Sequence, residues 1–435
     1  MKSSSILLFS IALLCLVSGC EPQNKPVTPT SVSQTEAPKA EVPALPPDPV
    51  EVVKHLEEAN VIVTKDKAGN ISVVDLRKTK ASDATLGMLK QLPGLKVVSM
   101  YGPEFTVAGL KTLGEAKTLQ LIDGEKTAVN DDVLAAWAGL TDLRGLRLKQ
   151  CDISDEGLKH IKPMTKLIEI DLTFTNAGSK AAEYLKDVPS LQWVFMERCK
   201  IDDVGVAHLA TLPKLVRLRL NLNNLTDKSL DSLKGKNLKA LEIGDTQITN
   251  DGLNNLADMK ELDSLFLWRD SIGDKGVAHL ANCKNLYSLN LRDTRITDDA
   301  LKIVGTFSQL DNLELNETTI KDEGLAHLAG LTNLTSLELW FTRITDAGLV
   351  HLTGMKKLKV LNLEYTDVTD DGIKTISVLT EMQDLNLKET RITDAALPHL
   401  YGMTKLKKLD LRTTPVSEEE MRKLKEKIPG VEIMY

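Results

Sequence analysis

From residue 71 onward, apolar positions return along the chain at a fixed interval. With Leu286 as the first place of a unit, Leu286, Leu289 and Leu291 are followed by Thr294, Ile296, Thr297, Asp298, Leu301 and Val304. The pattern recurs 24 residues on as Leu310, Leu313, Leu315, Thr318, Ile320, Asp322, Leu325 and Leu328. It continues at Leu334, Leu358, Met382 and Leu406, and backwards at Leu262, Leu238, Leu215, Leu191, Leu167 and Leu143; only the step from 215 to 238 is 23. Leu119, Leu95 and Ile71 keep the spacing with a weaker pattern, so the chain divides into 15 units. Such self-similarity marks an array in which each unit stacks on the next.

Each unit predicts a strand, a turn and a short helix. The alternation Leu289-Asn290-Leu291 is that of a strand with one buried face. Thr294 and Ile296 turn the chain. Thr297-Asp298 then reads as a helix entry: the Thr side chain accepts from orphan amides, and Asp suits the positive end of the helix dipole. Leu301 and Val304, three apart, give the helix its inward side. One unit cannot cover its own apolar face, so its neighbours must.

Over residues 71–429 this motif resembles the leucine-rich-repeat family, in the cysteine-containing variant with a Thr-Asp-x-Gly-Leu helix entry, shown by Ile344-Thr345-Asp346-Ala347-Gly348-Leu349. The resemblance implies an α/β solenoid, a right-handed arc with a concave parallel β-sheet and convex helices. One departure concerns the ninth place, Asn or Cys in the usual consensus. It is Thr in ten units, such as Thr342 and Thr390, whereas Cys151, Cys199 and Asn223 keep the older choices. We expect the Thr hydroxyl to satisfy loop backbone groups as Asn does.

The ends of the array need covers, because bare sheet edges invite pairing. Residues 50–70 are expected to form an N-terminal cap: a helix from Val50 to Ala59, then a strand from Val61 to Thr64 that joins Ile71 to Leu76 as a hairpin. The repeats run over 71–416. Residues 417–435 are expected to close the other end, with an amphipathic helix from Ser417 to Lys427 and a last strand from Val431 to Tyr435.

The first residues read as an address. Ile6 to Val17 is apolar but too short to span a bilayer. It leads to Val17-Ser18-Gly19-Cys20, which resembles the lipobox of bacterial lipoproteins. That implies a signal peptide over 1–19, lipidation of Cys20 and a cell-envelope location held by an N-terminal lipid anchor. Acyl chains each contribute roughly 0.8 kcal/mol per buried CH₂, so several anchor stably. Glu21, rather than Asp, favours the outer membrane or periplasmic face. Residues 20–49 carry eight prolines among Thr, Ser, Val and Ala, a composition that stays extended and reads as a tether.

Composition narrows the function classes. The net charge of −7 argues against a general nucleic-acid binder, which is usually basic. The five cysteines form no disulfide framework. His160, His208, His279, His327, His351 and His399 share the eighteenth place of their units and form a helix-surface row, not a converging zinc site. The pairs Asp131-Asp132, Asp202-Asp203, Asp298-Asp299 and Asp370-Asp371 stand at helix entries, where capping explains them better than calcium. No phosphate loop, nucleophile elbow or zinc-protease motif occurs, so neither an enzyme nor a cofactor is expected.

The third, fifth, seventh and eighth places are predicted to face outward from the strands. There the chain carries aromatic and Arg residues, the types that dominate binding hot spots. A first group is Phe174, Trp193 and Phe195 with Arg147, Lys149, Arg198, Arg217 and Arg219. A second is Phe266, Trp268 and Arg269, with Arg292 beside it. A third is Trp340, Phe341 and Tyr365, edged by Glu338 and Glu364. Trp137 instead replaces a helix core residue. The expected function is therefore protein–protein interaction at the envelope through the concave face. Two rivals are a glycan- or peptidoglycan-binding module and a ubiquitin-ligase substrate adaptor like F-box leucine-rich-repeat proteins. The second lacks room for an F-box in residues 21–70.

Overall fold

The computed structural model describes residues 45–435. The expected signal peptide, Cys20 and most of the tether lie outside them. The described chain forms two compact units, one reaching to Asn176 and including Asp187–Leu191, the other holding Ala177–Lys186 and Gln192–Tyr435.

The first unit opens with helix α1 (Val50–Glu58), which buries Val52 and Leu56. Strands β1 (Ile62–Lys65) and β2 (Ile71–Asp75) follow as an antiparallel pair. From β2 the pairing turns parallel through β3 (Val97–Tyr101), β4 (Leu121–Glu125), β5 (Gly145–Arg147) and β6 (Glu169–Asp171). The second unit is parallel throughout. Its strands are β7 (Trp193–Phe195), β8 (Arg217–Arg219), β9 (Ala240–Glu242), β10 (Ser264–Phe266), β11 (Ser288–Asn290) and β12 (Asn312–Glu314). They continue as β13 (Ser336–Glu338), β14 (Val360–Asn362), β15 (Asp384–Asn386), β16 (Lys408–Asp410) and β17 (Glu432–Met434). The register is in step, Leu289 opposite Leu313 and Leu337 opposite Leu361. A charged helix, Glu418–Lys427, precedes β17 and is capped by Ser417.

The period places the core where the leucines predict it. Leu286, Leu289, Leu291, Ile296, Leu301 and Val304 are all fully buried, as are their counterparts one unit on. They fill the layer between strands and helices in consecutive turns of chain, so each turn is sealed by its neighbours. Trp137 lies wholly inside and donates its indole N–H to the Leu110 carbonyl at 2.8 Å.

Three features of the turn and helix entry add to what the repeat pattern predicts. The first is backbone shape. Every eighth place from Lys78 to Thr413 has positive φ, fourteen of them in non-glycine residues such as Phe174, Phe341 and Tyr365. The left-handed region is unfavourable for side chains with a Cβ, so it is the strand register and the next turn that impose it. The second is the ninth place. Thr294, Thr318, Thr366 and Thr390 each donate to the carbonyl three residues back, at 2.6 Å. Asn223 does more: it accepts from the Cys199 and Ile201 amides and donates to the carbonyls of Met196 and Leu220. Thr thus meets a need within its own turn, whereas Asn stitches two turns together.

The third feature explains Thr-Asp-x-Gly-Leu. The Thr hydroxyl caps its own helix, Thr345 Oγ1 accepting from Ala347 at 3.3 Å. The Asp of one unit also clamps the Thr of the next: Asp322 accepts the Thr345 N–H at 2.8 Å and its hydroxyl at 2.6 Å. The same clamp joins Asp346 to Thr369 and Asp370 to Thr393. The Gly leaves space for that carboxylate, since a Cβ on Gly348 would lie 2.4 Å from Asp322 Oδ1. Where Ser229 replaces the Gly, its hydroxyl instead donates to Asp203. Burial pushes the Asp203 carboxyl up, but hydrogen bonds from Ser229 and Thr226 outweigh it and hold it below the usual range.

Gly348→Ala is therefore expected to cost about 1–3 kcal/mol, the usual scale of overpacking. Asp322→Ala should remove most of that penalty, because the obstacle goes with it. Urea unfolding of both single variants and the double variant tests this, and additive losses would count against the clamp.

Candidate interaction surface

The strands turn one side to the leucine layer and the other outward, and the outward places carry the three groups of aromatic and charged residues. The two units divide the first group between them.

In the first unit, Arg147 on β5 forms a two-pronged ion pair with Glu169 on β6, at 2.6 and 3.0 Å. Both side chains are largely buried, 15% and 4% exposed. Burial works against the Arg147 charge, but the Glu169 bonds and the nearby Asp123 and Asp171 hold its pKa above the ordinary arginine value. Lys149 stands 3.6 Å from Glu125. Phe174 is half-buried at an eighth place.

In the second unit, Trp193 and Phe195 stand half-buried on β7. Arg219 on β8 pairs with Glu242 on β9 at 2.7 and 3.1 Å, and its guanidinium lies 4.8 Å from the centre of the Phe195 ring. Arg217 reaches Asp263 at 3.5 Å. Arg198 is exposed, with positive φ. Arg147 and Arg219, expected to reach outward toward a partner, thus hold neighbouring strands together, a link the spacing contained but residue type alone did not disclose.

The second group is also partly absorbed by the fold. Phe266 on β10 is half-buried. A Cβ on Gly244 would come within 2.4 Å of the Trp268 indole, so Trp268 lies on the bare backbone of the preceding turn. Arg269 is exposed and sits between Asp293, at 3.1 Å, and Asp245, at 3.7 Å.

The third group is the one left open. Phe341 is 60% exposed and Tyr365 45%. Their rings meet edge to face, centroids 5.9 Å apart. Trp340 is half-buried, with the Arg292 guanidinium 4.9 Å from its ring centre. Lys388 lies 5.3 Å from the centre of the Tyr365 ring and 2.7 Å from Glu364. Phe341 and Tyr365 share the left-handed eighth-place backbone with the half-buried Phe174, so their exposure comes from their neighbours.

One residue went unremarked in the sequence. Asp270 occupies a ninth place, where ten units have Thr. It is 3% exposed; one oxygen accepts from the Thr246 amide and hydroxyl, and the other has no partner. Burial, opposed by those hydrogen bonds, pushes its carboxyl up to about 7. Its departure from the ninth-place Thr was the available signal.

Among the described residues no group of three or more His, Cys, Asp or Glu is placed to hold a metal ion. Cys151, Cys199 and Cys283 are buried. No helix among the described residues is long and apolar enough to cross a membrane.

Comparison with known proteins agrees with this architecture. The Leucine Rich repeat family matches residues 139–161, 236–257, 330–352 and 354–377. No curated protein matches the sequence. Among solved structures, a leucine-rich-repeat protein of Leptospira interrogans is 19% identical, with 87% of this chain and 94% of that one aligned at a TM-score of 0.55. An internalin of Listeria monocytogenes is also 19% identical, covering 69% and 82% at 0.45. The Arabidopsis receptor kinase HAESA, solved with a peptide hormone and a co-receptor, is 14% identical, covering 89% and 78% at 0.47. A parallel strand per repeat, a leucine layer behind it, the four matched segments and the Leptospira structure give the chain the leucine-rich-repeat fold.

Proposed function

We propose that this chain is a lipid-anchored protein of the bacterial cell envelope that captures a protein partner on its strand face. Leucine-rich-repeat proteins generally mediate protein–protein interaction. The observation that carries the reading here is the exposed Phe341–Tyr365 pair. The other aromatics of the three groups, Phe174, Trp193, Phe195, Phe266, Trp268 and Trp340, are half-buried. A surface fixed by register and buried leucines is preorganised, which lowers the ordering cost of binding. The anchor rests on Val17-Ser18-Gly19-Cys20, and the proline-rich segment after it would let the repeats search near the membrane.

The choice of variant matters. Trp193→Ala with Arg219→Ala would strip Glu242 of its cation and disturb the sheet as well as the surface. Phe341→Ala with Tyr365→Ala leaves every ion pair in place. We expect that double variant to melt within a few degrees of the parent and to lose at least tenfold in partner capture from envelope extract after crosslinking in cells. Undiminished capture would sink the surface assignment, and recovery of glycan rather than protein would replace it with the saccharide reading. Incorporation of a palmitate analogue, abolished by Cys20→Ala, tests the anchor.

A further inference from the structure

Carboxylates on the strand face are commonly paired. Asp75 has Arg77, Glu169 has Arg147, Glu242 has Arg219, Glu364 has Lys388 and Asp410 has Arg412. Glu314 and Glu338 break the habit. They stand opposite each other on β12 and β13. Adjacent strands are about 4.8 Å apart, and like charges in that position repel. Among the described residues neither makes an ion pair within 4.0 Å. Amides attend them instead: Asn290 donates to Glu314 at 2.7 Å, and Asn362 to Glu338. Amides solvate a carboxylate without neutralising it. Burial and the charges of Glu314 and Asp384 push Glu338 up to about 7, and burial raises Glu314 even with Arg292 nearby.

Beside this pair lie Trp340, Phe341 and Tyr365. Two of the three rings already receive a cation from the chain itself, Arg292 and Lys388. Among the described residues no cation lies over the Phe341 ring, which is the most exposed of the three. A face that offers two unneutralised carboxylates and an open aromatic wall is complementary to a cationic side chain with an apolar stem.

We infer that the strand face over β12–β14 takes an arginine or lysine of a protein partner, its charge set between Glu314 and Glu338 and its stem against Phe341. The inference rests on the protein-binding reading and names the chemistry of the partner segment. It also gives two opposed carboxylates a counter-charge: the occupant supplies the charge that the fold withholds.

The test uses the full-length lipoprotein in detergent at pH 8, with three labelled peptides of one Ala-Ser-Phe framework. They carry two arginines, two citrullines or two glutamates. Fluorescence anisotropy should show the arginine peptide binding at least tenfold more tightly than the citrulline peptide, which has the same shape without the charge. Glu314→Gln with Glu338→Gln should erase that difference, whereas Glu323→Gln, a loss of charge on the helix side, should leave it. Equal binding of arginine and citrulline peptides, no binding of either, or a charge preference that survives the double variant overturns the inference. Native capture separates it from its parent reading. If capture falls with Phe341→Ala and Tyr365→Ala yet is untouched by the two Gln substitutions, the protein-binding surface stands and the cation site does not.

Discussion

Leu291→Asp is expected to abolish cooperative folding of the turns around it and to lower the urea midpoint further than either Leu291→Ala or Gly348→Ala. Leu291 is fully buried between the strand layer and the helices, and its counterparts Leu267 and Leu315 are buried in the same layer of the adjoining turns. Truncation to Ala alone removes packing worth about 2–5 kcal/mol. Aspartate adds the cost of placing a carboxyl where no donor awaits it, several kcal/mol more even if the group takes up a proton. In a solenoid, stability is a sum of unit and nearest-neighbour terms. The lesion should therefore spread through the interfaces on each side of the Leu286–Val304 turn before it reaches distant ones. Hydrogen exchange should show protection lost first around β11 and its neighbours β10 and β12, and least at the first strands. Leu291→Ala should produce the same pattern in weaker form. A midpoint equal to that of the parent would mean that the leucine register is misplaced, and with it every outward-facing assignment.

What could be read in advance follows from how each feature is encoded. The leucine period and the strand alternation depend on side-chain chemistry repeated at one spacing, so fifteen units make them plain, and Thr at the helix entry of seven units marks the caps. The Gly in Thr-Asp-x-Gly-Leu was visible as a motif but not as a mechanism, because its reason lies in the preceding unit: Asp322 needs the space at Gly348. The left-handed eighth place left little trace: Gly102, Asp245 and Asp293 suit it, but Lys126, Phe174, Leu222, Glu317 and Thr413 share it and are not turn-forming types. Geometry set by strand register does not require a particular residue there. The candidate surface was legible as a list and not as a ranking. Arg147 and Arg219 look like contact residues until Glu169 and Glu242 are found opposite them, and Trp268 looks open until Gly244 is seen beneath it. Exposure separates Phe341 and Tyr365 from the other aromatics, and exposure depends on neighbours one turn away.

Asp270→Asn is expected to stabilise the protein at neutral and alkaline pH and to leave it little changed near pH 4. Asn223, at the ninth place two repeats earlier, shows why. Its side-chain carbonyl accepts from the preceding turn, while its NH₂ donates to the carbonyls of Met196 and Leu220. Asp270 reproduces the first half, with one oxygen accepting from Thr246. Its second oxygen takes the place of the NH₂ and is buried without a partner. As a carboxylate it buries a charge with one oxygen unsatisfied; as a neutral acid it sheds that charge. The charges around it, Asp245 and Asp227, also disfavour ionisation. An aspartate in the unfolded chain titrates at about 3.9, against about 7 in the fold. Between those values the native protein holds a proton that the unfolded chain has released, so stability falls as pH rises from about 4 to 7 and then levels off. At roughly 1.4 kcal/mol per pH unit the loss reaches as much as about 4 kcal/mol. Asparagine cannot titrate and keeps both the acceptor and a donor. The gap between variant and parent should therefore open steadily over that interval, read as urea midpoints at pH 4.5, 6 and 8. Other groups that titrate in the range, Glu338 among them, are common to both proteins and cancel in the difference. A gap that stays constant with pH would show that Asp270 is ionised in the fold, and that some donor other than its own proton satisfies the buried oxygen.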